Sequence, residues 1–164
     1  MNATQQKRLL KLADALENEV PKESFNMGHW IHTDNGMTFP EIKANLLASK
    51  CNTSACIIGW CPIIFPKHFK YDRTWAVIEL VGEEDATHEH HMQSFFGLTY
   101  KESQIIYPGW FSEYRYVRFF EEATITPKLA AKAIRDIVAQ YDKKGNLVKP
   151  NRRFKEMYNA TVST

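Results

Sequence analysis

The chain has 164 residues, enough for one compact domain. Apolar residues make up 44% and charged residues 24%, the balance of an ordinary globular protein rather than a disordered or fibrous one. A formal charge of +2 argues against a surface built wholly for nucleic acid, and no apolar run reaches the roughly 18 residues of a membrane span.

The N-terminal segment is amphipathic and charged. It lacks an apolar stretch and a small-residue cleavage site, so it is not read as a secretory signal. The spacing predicts a helix from about Thr4 to Glu19, with Leu9, Leu12, Ala13, Leu16 and Val20 as its buried stripe and Pro21 as its stop. Lys7, Lys11, Asp14 and Glu17 take the other faces. In the next stretch Trp30, Ile31 and Thr33 precede Asp34-Asn35-Gly36, and Met37, Thr38 and Phe39 follow. Asn-Gly supplies positive φ angles, so a short hairpin is expected over His29 to Phe39. Pro40 then opens a short helix carrying Ile42, Leu46 and Leu47.

Thr53 or Ser54 is positioned to cap a helix over TSACIIGW. Its small Ala55 and Gly59 admit a close neighbour; Pro62 breaks or kinks it and Pro66 stops the chain again. Trp75 to Val81 has strand-like residue types and is expected to join the hairpin's sheet. A helix from about Ala86 to Phe96 ends on Gly97, and Thr99 with Glu102 forms the capping box of the next, which Pro108-Gly109 ends. For the last helix Thr126 is the cap, Pro127 the first residue and Gly145 the stop after Lys143 and Lys144. Ala130, Ile134, Ile137, Val138 and Tyr141 form its apolar stripe.

These elements add up to a mainly α (α+β) protein: a compact helical domain with a small antiparallel hairpin or sheet. The expected organisation is one α-rich domain over residues 1–145 and a basic, partly flexible tail over 146–164, which holds Lys149, Arg152, Arg153 and Lys155.

Two stretches carry a resemblance. CNTSACIIGW resembles the C-x-T-x-A-C-x-x-G segment of small phage and bacterial proteins, on Cys51, Thr53, Ala55, Cys56 and Gly59. FFGLTYKESQIIY is similar to the helix that follows it there, on Phe96, Gly97, Leu98, Thr99 and Glu102, and the helix beginning TPKLAAKAI fits the same order. The matched segments cover about a third of the chain. Asn52 stands where glycine is common, and Cys61 is an additional cysteine. The resemblance implies an α-rich domain of phage origin and carries no activity with it.

Five constellations are candidates for chemistry. Cys51, Cys56 and Cys61, an odd number without a secretory signal, read as thiols in a reducing cytoplasm. On a continuous helix, residues five apart are separated by roughly 140°, so Cys56 and Cys61 do not converge, and the spacing is a poor match to zinc sites. The bland reading is small buried side chains; the sharper one is a nucleophile at Cys56, in the first turn of its helix where the dipole lowers a thiol pKa. In Glu83-Glu84-Asp85-Ala86-Thr87-His88-Glu89-His90-His91, Glu84 with His88 and His88 with His91 have the helical spacing of shared metal ligands, although H-E-x-x-H is absent. The competing reading is a polar helix start whose acids suit the dipole. The helices on either side of Gly97 have a helix-turn-helix outline, but the second offers only Lys101, Ser103 and Gln104 as polar readers.

The fourth constellation is Tyr107 to Phe120, YPGWFSEYRYVRFF. Seven of its fourteen residues are aromatic, one third of the chain's 21, and Arg115 and Arg118 lie among them. Such a mixture stacks a base, pairs a phosphate or anchors a partner, and it also fills cores. Tyr107, Trp110, Tyr114, Arg115 and Arg118 are the leading site residues, with Trp30 and Arg73 as expected neighbours alongside His29, His32 and Trp75. The fifth is the basic tail, suited either to solvation or to an anionic partner.

No glycine-rich phosphate loop and no nucleophile elbow is present. The sequence therefore points to a small cytoplasmic binding protein rather than an enzyme, with no cofactor. Its partner would be a host protein or a nucleotide-like molecule, without a membrane and with nucleic acid less favoured. The alternatives are a metal- or cysteine-dependent enzyme using Cys56 or His88/His91, and a helix-turn-helix regulator.

Overall fold

The structure is a computed structural model, and it describes residues 1–27, 31–33, 36–50, 53–72, 77–83, 86–106 and 125–148. Its elements in chain order are α1 (Ala3–Asn18), a 3-10 turn (Lys22–Ser24), β1 (Ile31–His32), α2 (Phe39–Ala48), β2 (Ser54–Ala55), α3 (Cys61–Ile64), β3 (Phe69–Asp72), β4 (Val77–Leu80), α4 (His88–Phe96), α5 (Tyr100–Ile106) and α6 (Pro127–Val138). Helices dominate and the strands form two separate antiparallel pairs, so the mixed, mainly helical class read from the sequence is the observed one.

α1 sits at the centre of the helical layer. It packs most extensively on α6 and also touches α3 and α4. Its expected stripe is the buried one: Leu9, Leu12, Ala13 and Leu16 are fully enclosed and Val20 follows. A reciprocal capping box starts the helix, with the Gln5 amide N–H donating to the Asn2 side chain at 3.0 Å and the Asn2 N–H to the Gln5 side chain at 2.8 Å. Across the α1–α6 seam, Arg135 donates to Asp14 and Glu17, each at 2.7 Å.

The hairpin expected over His29 to Phe39 is not what forms. β1 pairs with β2, more than twenty residues on, in the register Ile31↔Ala55 and His32↔Ser54. Thr38 and Phe39 are unavailable as a return strand because they start α2. The Glu41 carboxylate accepts from both the Thr38 N–H and the Thr38 hydroxyl at 2.6 Å, and Pro40 occupies the first turn, where its missing N–H costs nothing. Ile42 and Leu46 point inward as expected, whereas Leu47 is exposed.

The helix expected over TSACIIGW is also corrected. Ser54–Ala55 is a strand, residues 57–60 form turns, and the helix begins only at Cys61. Ala55 is fully buried in that strand. It lies between β1 on one side and Phe25 on the other, and its carbonyl accepts from the Asn26 N–H at 3.1 Å. Pro62 opens α3 instead of breaking a helix, and the chain leaves helical geometry at Phe65, before Pro66.

β4 does not join the β1–β2 sheet. It pairs with β3, which the sequence reading missed, in the register Phe69↔Leu80 and Lys70↔Glu79. Phe69, Ile78 and Leu80 are buried, and Lys70 and Glu79 form a cross-strand ion pair at 3.2 Å. Phe65 and Phe69 meet Phe95 and Phe96 of α4 in an aromatic cluster whose Phe69–Phe95 centroids lie 4.9 Å apart, edge to face.

α4 forms where expected, beginning at His88 with Thr87 as its cap; the Thr87 hydroxyl accepts from the His90 N–H at 3.2 Å. Gly97 ends α4 at φ +66°, as its position suggested. α6 has the expected cap, with Thr126 accepting from the Leu129 N–H at 3.2 Å, but it ends at Val138. Gly145 is therefore not its stop. It is the positive-φ residue (+88°) of a tight turn in which the Asp142 carboxylate accepts from the Lys144 and Asn146 N–H groups at 2.8 and 2.9 Å. The turn returns the chain so that Leu147 bridges Tyr141 and the Val148 N–H donates to the Gln140 carbonyl. No helix among the described residues is long and apolar enough to cross a membrane.

Candidate functional site

The leading sequence candidates, Tyr107, Trp110, Tyr114, Arg115, Arg118, Trp30 and Arg73, all lie outside the described residues, as do His29, Trp75, Cys51 and residues 149–164. Residues 107–124 connect buried Ile106, the last residue of α5, to half-buried Ile125, which precedes the Thr126 cap of α6. α5 and α6 pack on each other. Trp30 directly precedes β1 and Arg73 directly follows β3, and His32 on β1 is exposed. The Phe39 ring, which starts α2, stacks on Tyr71 of β3 with centroids 6.3 Å apart.

The thiols sit in a different environment from the one their spacing suggested. Cys56 and Cys61 are both fully buried, and neither is in a disulfide. Cys56 lies in the turn after β2, so no helix dipole lowers its pKa. Burial pushes it up to about 11, against a smaller opposing pull from the Gly59 and Ile58 amides. Burial raises Cys61 as well, reinforced by Cys56, and its Sγ donates to the Ile57 carbonyl at 3.6 Å. Thiols held protonated behave as small apolar side chains.

The histidines divide by face. His90 is exposed and lies 3.3 Å from Glu83. His88 and His91 are buried, with ring centroids 6.4 Å apart. The His88 Nε2 accepts from the Ile78 N–H of β4 at 3.1 Å, which requires an unprotonated ring. Burial, and secondarily His91, lowers its pKa to about 4. A metal at His88 Nε2 would compete with that backbone bond. Among the described residues no group of three or more His, Cys, Asp or Glu is arranged to hold a metal ion.

The turn between α4 and α5 is tied down from both sides. Glu102 is buried; its Oε2 accepts from the Thr99 N–H and hydroxyl, both at 2.7 Å, and its Oε1 accepts from the Tyr141 hydroxyl at 2.7 Å. Burial and the Glu102 carboxylate hold the Tyr141 hydroxyl well above the usual phenol range, so it remains the donor. Of the three residues expected to read DNA, Lys101 is exposed, whereas Ser103 is buried and donates to the Tyr100 carbonyl at 2.7 Å. The side chain of Gln104 lies outside the described residues.

One arginine–aromatic contact escaped the sequence reading. The Arg8 guanidinium lies 4.0 Å from the centroid of Phe95, and its Nη1 donates to the Phe95 carbonyl at 2.9 Å. It satisfies one of the last carbonyls of α4, a structural use of the pairing sought at Arg115 and Arg118. Arg8 adjoins the buried Leu9, and that was its only signal in the sequence. Compared with protein-family models, with curated proteins and with solved structures, the chain matches none.

Proposed function

We propose that the chain is a small binding protein of the host-cell cytoplasm, phage-encoded, that captures a host factor through its aromatic–arginine segment. The factor is a nucleotide-like ligand or a protein surface. One observation carries this reading: Tyr107 to Phe120 holds seven aromatics with Arg115 and Arg118. The arginines would pair phosphates or carboxylates, and Tyr107, Trp110 and Tyr114 would stack a base or fill a partner's pocket. Trp30 and Arg73 are assigned to the same surface.

The buried, protonated state of Cys56 and the engaged Nε2 of His88 support binding over thiol or metal chemistry at those residues. Native mass spectrometry of freshly purified protein, beside a denatured sample, tests for a captured ligand. Extra mass lost on denaturation identifies a nucleotide-like ligand or a metal by its value, and a bare chain mass directs the search to a protein partner. Arg115→Ala with Arg118→Ala should weaken capture by roughly 2 kcal/mol or more while leaving the melting curve unchanged. Unchanged capture overturns the assignment.

A further inference from the structure

The outer face of α4 meets a carboxylate that the core does not use. The turn after β4 is built on Gly82, at φ +91°, and the Glu83 N–H donates to the Leu80 carbonyl at 2.9 Å. Glu83 is thereby set against α4, where His90 and Ser94, four residues apart, share one helix face. The Ser94 hydroxyl donates to Glu83 Oε1 at 2.7 Å and fixes the carboxylate. Glu83 Oε2 is closed off from solvent, takes no hydrogen bond from the described residues, and lies 3.3 Å from His90 Nε2. A buried carboxylate oxygen without a donor is costly, so this oxygen is short of a positive centre. A simple ion pair would aim an imidazole N–H at it, and the contact lacks that hydrogen-bond geometry.

We propose that Glu83 Oε2 and His90 Nε2 together bind one divalent ion of the zinc class. Such ions take imidazole nitrogen and carboxylate oxygen at about 2.0–2.2 Å, so two of these ligands on a tetrahedral ion stand about 3.4 Å apart. The observed 3.3 Å matches that spacing. Two protein ligands leave the remaining positions to water, which the exposed His90 side of the pair admits. An imidazole beside a single carboxylate favours zinc, nickel or cobalt over magnesium and calcium, which take shells of oxygen. Ser94 is the positioning residue: it holds Oε1 and leaves Oε2 to the ion. The helical spacing of Glu84 with His88, and of His88 with His91, singled out the opposite face of α4; His88 and His91 are buried, and His88 Nε2 is taken by the Ile78 N–H. The positive end of α4 disfavours a cation, and Glu83, Glu84, Asp85 and Glu89, close to His90 in sequence, supply opposing charge.

Calorimetric titration of the full, chelator-treated chain with Zn2+ is the test. The expected result is saturable binding of one ion per chain that millimolar Mg2+ leaves intact. Ser94→Ala should weaken binding about tenfold with the stoichiometry kept, and His90→Ala and Glu83→Gln should each weaken it more. Glu83→Gln keeps the side chain's size and an oxygen for Ser94, so it tests the ligand rather than the fold. His32→Ala and His68→Ala, at exposed histidines elsewhere, should change nothing. Displacement by Mg2+ overturns the choice of ion. Absence of saturable binding, or binding that survives both His90→Ala and Glu83→Gln, overturns the proposal and leaves Glu83 and His90 as an ion pair. Neither ligand lies in Tyr107 to Phe120, so the outcome is independent of that segment's role.

Discussion

The α4–α5–α6 helices and the segment Thr53 to Phe65 are both well buried, yet they obey different rules. Each of the three helices starts at a side chain that satisfies an orphan N–H or binds its cap: Thr87, the Thr99–Glu102 box and Thr126. The segment Thr53 to Phe65 has suitable cap residues too, but every residue from Thr53, at 2% exposure, through Pro62 is buried, and only Ile63 beyond it is half-buried. A chain buried all round shows no polar face and hence no period. Its conformation is set by what lies beside it, here Phe25 and β1 flanking Ala55. Local chemistry governs the first region, and tertiary enclosure governs the second.

Trp60→Ala probes the enclosed segment most severely. Trp60 is 1% exposed and among the largest fully buried side chains, so the substitution should cost about 3–5 kcal/mol in urea unfolding. Its indole Nε1 has no hydrogen-bond partner among the described residues, so Trp60→Phe should cost clearly less. A small loss for Trp60→Ala would remove the contrast between the regions.

His88 joins α4 to β4, and acid tests that link. Its pKa falls from 6.5 to about 4 on folding. A depressed histidine contributes stability that is fully present above the unfolded value and is lost as pH falls toward the folded one. The loss, concentrated between pH 6.5 and about 4, should approach roughly 3 kcal/mol. His88→Gln keeps an acceptor for the Ile78 N–H and should flatten this part of the pH profile. An equally steep profile in the variant would assign the loss to other groups.

Gly97→Ala sharpens the capped side of the contrast. At φ +66°, with the Gln5 side chain where a Cβ would go, the change should cost about 1–2 kcal/mol, seen as a lower melting temperature. Thr126→Ala should have the smallest effect, about 1 kcal/mol, and Thr126→Ser should recover most of it. A neutral Thr126→Ala would mean that packing on α1, not the cap, starts α6.

Several elements were readable because their causes are local. α1 shows its stripe in the spacing of Leu9, Leu12, Ala13 and Leu16, and α5 shows its start in Thr99 and Glu102. The end of α6 was not readable. Gly145 has the signature of a helix stop, but it serves a turn against the carbonyl of Met1, a contact between residues far apart in the chain. Nor was the partner of β1 readable, because a two-residue strand carries too little pattern to specify which distant strand completes it.

For the candidate chemistry, the sequence supplied residue types and the fold supplied their states. It identified Cys56, His88 and His91 as groups worth weighing, but burial, a long-range property, holds the thiol protonated and the imidazole of His88 neutral. By itself the sequence determined the helical class, the capped starts and the concentration of aromatics and arginines in Tyr107 to Phe120, because composition, periodicity and hydrogen bonds spanning three or four residues are written locally. Only the tertiary structure decided which strands pair, where α6 ends and which titratable groups are withdrawn from water, because each depends on contacts between residues far apart in the chain.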